Sequence, residues 1–122
     1  KNTRKSLSGI FFENYVASEL GKAGYKLFYW RGKGNSEFEF IIEYDSTVIP
    51  IDVKKSRGSL DFLDKFKNHN KLFVAIKISE NKYGYDVNNK ILTVPFYYVP
   101  FLINTLQKGE INSLINMGKM CN

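Results

Sequence analysis

Apolar residues recur along this chain with two periods, one helical and one alternating. Phe12, Val16, Leu20 and Ala23 share a stripe at helical spacing, which predicts a first helix from about residue 7 or 8 to residue 22. Ser8 reads as its N-cap, and Gly21 and Gly24 mark its end. Residues 26–31 form a short aromatic run that reads as a buried strand, and residues 32–36 are a loop by composition. The glycines of that loop lack the GxxxxGK[ST] spacing of a phosphate loop, so no nucleotide site is assigned there.

Two alternating segments follow, predicting strands over 37–43 and 48–54 with Tyr44, Asp45, Ser46 and Thr47 as the turn between them. Leu60, Phe62, Leu63 and Phe66 predict a helix over 60–68, capped by Ser59. Residues 71–78 give the clearest strand, β-branched and nearly continuously apolar, as expected of a strand buried on both faces. The polar stretch 79–90 reads as a loop or weak edge strand. Residues 91–97 read as another strand, with Pro95 placing its end or an edge there. A closing helix is expected over 101–108, and the tail beyond Gly109 carries no assignment. The order α-β-β-β-α-β-β-α predicts an α/β domain with a central mixed sheet flanked by helices.

At 122 residues, the chain suits a single domain spanning 1–122 with one real core. A hydrophobic content of 43% with 16% aromatic residues argues against disorder. No apolar run is long enough to span a membrane, and no internal repeat is present. The single cysteine, Cys121, forms no intrachain disulfide, and the basic, polar start is not a signal peptide. A cytoplasmic setting is therefore expected, with Lys1 a cut point within a longer protein. The formal charge of +6 fits a nucleic-acid-binding domain through counterion release, and equally fits ordinary solubility.

Candidate chemistry sits in the hairpin. With Asp45 and Ser46 at its tip, residues whose numbers sum to 91 pair across the strands. Glu39 then faces Asp52 and Glu37 faces Lys54, all on one face, while Phe38, Phe40, Ile42, Ile49, Ile51 and Val53 share the other. Directly opposed Cβ atoms lie about 4.5–5.5 Å apart, close enough for two carboxylates to share one hard divalent cation such as Mg²⁺ or Mn²⁺. A slip of one residue would separate them, but the apolar face favours this register. In a hydrolytic reading, Glu39 and Asp52 hold the metal, Lys54 orients the attacking water or supports developing charge, and Ile51 or Val53 adds a backbone carbonyl. The same face also reads as a solvated surface on which a lysine pairs with the carboxylates. Glu13 lies on the helical stripe with Gly9, Val16, Ala17 and Leu20; it suits either a partner on the hairpin or a surface lysine at the helix rim.

Four segments stand in order: Ser8-Gly-Ile-Phe-Phe-Glu-Asn-Tyr-Val16, Leu27-Phe-Tyr-Trp-Arg31, Glu37-Phe-Glu-Phe-Ile-Ile42 and Pro50-Ile-Asp-Val-Lys54. Together they resemble the C-terminal domain of unknown function that follows an AAA+ ATPase module in many bacterial and archaeal proteins. Ile91-Leu-Thr-Val-Pro-Phe-Tyr97 is similar to that family's final strand, and the resemblance covers roughly residues 6 to 104. The family looks like a PD-(D/E)xK nuclease fold. The resemblance therefore implies a restriction-endonuclease-like α/β/α core, a site built from Glu13, Glu39, Asp52 and Lys54, and an ATPase domain N-terminal in the same chain. The family pattern favours Asp at position 39 and Glu at position 52; this chain has the two exchanged, which keeps total charge and combined reach.

Lys54, Lys55 and Arg57 cluster after the second hairpin strand, and Arg31 and Lys33 flank the preceding loop. They are candidate phosphate contacts to DNA or RNA, or an ordinary charged loop. Tyr29 and Trp30 suit core packing better than base stacking. His69 has no nucleophile to serve and Cys121 is no catalytic thiol. The functional expectation is a metal-dependent phosphodiesterase or nucleic-acid-binding module, with a noncatalytic docking or self-association module of the ATPase, a homo-oligomer, as the alternative.

Overall fold

The computed structural model describes residues 2–31, 38–53 and 73–121. Within them a six-stranded mixed sheet is accompanied by three α-helices: α1 (Asn2–Lys22), α2 (Val99–Gln107) and α3 (Ile111–Cys121). The strands are β1 (Phe28–Arg31), β2 (Phe38–Tyr44), β3 (Thr47–Val53), β4 (Ala75–Ser79), β5 (Gly84–Asp86) and β6 (Ile91–Pro95), in the spatial order β1-β2-β3-β4-β6-β5. The first three form an antiparallel meander; β3, β4 and β6 run parallel, and β5 closes the far edge antiparallel to β6. The expected mixed α/β architecture is thus present, while the helix predicted over 60–68 lies outside the described residues.

Helix α1 begins at Asn2, earlier than expected, so Ser8 is inside the helix and is not its N-cap. Nothing between residues 2 and 8 is a proline or glycine, and the Ser8-Gly9 pair imitates a start within a continuing helix. Its end follows expectation. Gly24 adopts φ 93°, its N–H donates to the Gly21 carbonyl at 3.0 Å, and the Tyr25 N–H donates to the Leu20 carbonyl at 3.0 Å. These are the two bonds of a Schellman ending, whose left-handed residue is most easily a glycine.

The run at 26–31, expected as a buried strand, enters the sheet only at Phe28 and forms its edge, with Phe28 itself 41% exposed. By contrast, every residue of β4 is buried, as its composition predicted. Strand β6 ends at Pro95, as expected of a residue without an N–H, but it lies between β4 and β5 and is not an edge. A 3₁₀ turn, Phe96–Tyr98, leads into α2, where Pro100 occupies the first turn at no hydrogen-bond cost.

The tail beyond Gly109 is helix α3, burying Ile111, Leu114, Ile115 and Gly118 at spacings of three, one and three residues. That pattern is an amphipathic stripe. One apolar cluster joins Val16 and Leu20 of α1, Val99, Leu102 and Leu106 of α2 and Ile111 and Leu114 of α3. On the sheet it takes in Phe40, Ile42, Ile49, Ile51, Val53, Ile76, Ile78, Leu92 and Val94. These strand residues lie on one face by register and alternation, so the described helices pack on that face.

Candidate functional site

The hairpin forms in the register that the hydrophobic pattern predicts. Phe40 pairs with Ile51, Ile41 with Pro50, Ile42 with Ile49, Glu43 with Val48 and Tyr44 with Thr47. The chain reverses at Asp45 and Ser46, with φ of 47° and 67°; two consecutive positive values match the primed turn of a two-residue hairpin. Phe40, Ile42, Ile49, Ile51 and Val53 are all buried in the apolar cluster.

Continued by one residue, this register brings the Glu39 position of β2 opposite Asp52 of β3. Asp52 alternates with Ile51 and Val53 and so belongs to the sheet face away from the cluster, yet it is 0% exposed. A carboxylate at full burial requires compensation from charge or hydrogen bonds.

On its other side Asp52 is the parallel neighbour of Lys77 in β4, and Lys77 in turn is the neighbour of Thr93 in β6. Adjacent strands lie about 4.8 Å apart, so Glu39, Asp52, Lys77 and Thr93 hold successive positions of one row across four strands. Lys77 is only 8% exposed, and Ser79, two residues further on the same face, is fully buried. The sequence assigned Lys77 no role within the nearly continuous apolar run 71–78. A lysine at an inward position between Ile76 and Ile78 was the available signal, but its neighbour on β3 depends on a parallel pairing that local pattern does not encode.

The remaining candidates are placed less closely. Glu13 is half-buried on α1, whose Val16 and Leu20 join the apolar cluster on the face opposite Asp52. Arg31 ends β1 opposite Phe38. Lys33, Lys54, Lys55 and Arg57 lie outside the described residues. Among the described residues no group of three or more His, Cys, Asp or Glu side chains is arranged to hold a metal ion.

At the far end of the row, Thr93 and Gly84 border an open groove of about 610 Å³ around the β5 edge, lined also by Tyr83, Tyr85, Asp86 and Cys121. Tyr83 donates a hydrogen bond to the Leu114 carbonyl at 2.7 Å. Burial, then the neighbouring ionisable groups of Cys121 and Tyr98, push its pKa up to about 12. Burial and, secondarily, Asp86 raise that of Tyr85. Both hydroxyls therefore stay protonated at neutral pH and serve as hydrogen-bonding groups. No described helix is long and apolar enough to cross a membrane.

Searches of the curated proteins and of the solved structures returned no match to the chain. A family model does match, over residues 8–98, a segment that contains the hairpin, Lys77 and the six described strands. This chain belongs to the family described as domain of unknown function DUF4143.

Proposed function

We propose that this domain is a nuclease-type module of the PD-(D/E)xK kind, with a restriction-endonuclease-like core, serving as the C-terminal part of an AAA+-type ATPase and acting on or binding nucleic acid. The observation that carries this reading is the hairpin register, Phe40↔Ile51 to Tyr44↔Thr47, which leads to Glu39 opposite Asp52 at its next step. Residues with oxygen donors at two facing strand positions suit a hard divalent cation such as Mg²⁺ or Mn²⁺. In this reading Glu39 and Asp52 hold the ion, which when bound supplies a water of lowered pKa and charge stabilisation at the phosphate. Lys54 orients that water or meets the developing negative charge, and Arg31, Lys33, Lys55 and Arg57 contact the flanking phosphates. Glu13 of α1 is the fourth residue of the site in this reading.

A noncatalytic reading has its own support. Asp52 is fully buried and Lys77 nearly so, which is the pattern of a structural polar row. In that case the domain docks nucleic acid or protein for its ATPase.

Calorimetric titration of Mg²⁺ and Mn²⁺ into the wild type and a Glu39→Ala/Asp52→Ala variant, followed by incubation with labelled DNA and RNA, separates the two. Saturable metal binding lost in the variant, with metal-dependent cleavage, is expected of the nuclease. Salt-sensitive binding of nucleic acid without metal uptake or cleavage would leave the docking module.

A further inference from the structure

Lys77 has no role in the hydrolytic scheme, yet it is the residue whose placement is hardest to explain by packing. Its neighbours along β4, Ile76 and Ile78, are fully buried in the apolar cluster on the opposite face, and Lys77 itself is 8% exposed. Lysine is seldom so buried without a compensating charge. By register it stands next to Asp52, which is 0% exposed, on the side opposite Glu39. Asp52 is therefore the middle position of a row that runs acid, acid, base.

Two acids at facing positions of an antiparallel pair repel, and the full burial of Asp52 enlarges that repulsion. A cation one strand away, about 4.8 Å between backbones, offsets it whether or not metal is present. We propose that Lys77 is the counter-charge of the acidic hairpin. It is a positioning residue that holds the Glu39–Asp52 pair together in the metal-free protein and sets how strongly that pair attracts a divalent cation. The second half of this proposal rests on the nuclease-type reading above; the first half does not.

The test combines a double-mutant cycle with a metal titration. Unfolding by urea is measured in EDTA for the wild-type chain, Lys77→Met, Asp52→Asn and the double variant. Each single substitution is expected to lower the ratio of folded to unfolded protein. The double variant should lose at least about tenfold less than the product of the two single losses, because it no longer keeps one charge of the pair without the other. Strict additivity overturns the proposal. If Lys77→Met alone fails to fold, recovery of folding in the double variant supports the proposal and failure of both overturns it.

Mn²⁺ is then titrated into wild type, Lys77→Met and Lys77→Arg. Loss of the competing cation should tighten Mn²⁺ binding about tenfold in Lys77→Met, while Lys77→Arg stays near wild type. Equal affinity in wild type and Lys77→Met overturns the metal-tuning role. Absence of Mn²⁺ binding in all three overturns that role together with the metal reading of the hairpin, and the cycle in EDTA still decides the counter-charge.

Discussion

Gly118 of α3 lies so close to Tyr85 of β5 that a Cβ on the glycine would stand 2.7 Å from the tyrosine Cβ and 3.0 Å from its backbone nitrogen. Neither atom is the free end of a flexible side chain, so the helix itself would have to move. Gly118→Ala is expected to destabilise the fold by about 1–3 kcal/mol, the usual cost of overpacking, against the small gain in helix propensity. Urea denaturation checks this; an unchanged or raised midpoint would show that α3 does not cross β5 at this distance.

Helices α2 and α3 lie beyond the segment matched by the family model, yet Leu102, Leu106, Ile111 and Leu114 belong to the central cluster. A chain ending at residue 98 should therefore fail to fold cooperatively. Circular dichroism during heating is expected to lose the sharp transition of the full chain, because a face built around Ile42, Ile49 and Ile76 would be left open to water.

Tyr83 links β5 to α3 through its hydrogen bond to Leu114, and its pKa is raised by burial from 10.0 to about 12. The sign follows from proton counts. Between those values the unfolded chain has lost the phenolic proton and the folded chain keeps it, so stability falls as pH rises through the window from 10 to about 12. Denaturation at pH 9 and pH 11 should show this loss in wild type and a smaller one in Tyr83→Phe. At neutral pH the same variant should cost about 1 kcal/mol for the lost bond.

Ser46 sits at φ 67° in the hairpin turn, a conformation unfavourable to residues with a Cβ. Ser46→Gly should raise stability by about 0.5–1 kcal/mol, visible as a higher melting temperature. A fall in melting temperature would argue against the two-residue turn, and with it against the pairing of Glu39 and Asp52.

How much of this was legible in the sequence follows from which interactions are local. The hairpin register was readable because Phe40, Ile42, Ile49 and Ile51 reach one face only when the turn falls at Asp45 and Ser46. The end of α1 and the stop of β6 were equally local, set by Gly24 and Pro95. The stripe Ile111, Leu114, Ile115 and Gly118 was present in the sequence too, although the tail carried no assignment until the structure showed α3.

Two features depended on the tertiary structure alone. One is that β1 is an edge, since an aromatic run looks the same at an edge or inside a sheet until neighbouring strands are known. The other is the adjacency of Asp52 and Lys77, made by a parallel pairing between segments far apart in the chain. Alternation along a strand assigns each residue a face, because side chains point up and down by turns; which strand lies beside it is decided by burial of the whole sheet, and that is a property of the folded chain.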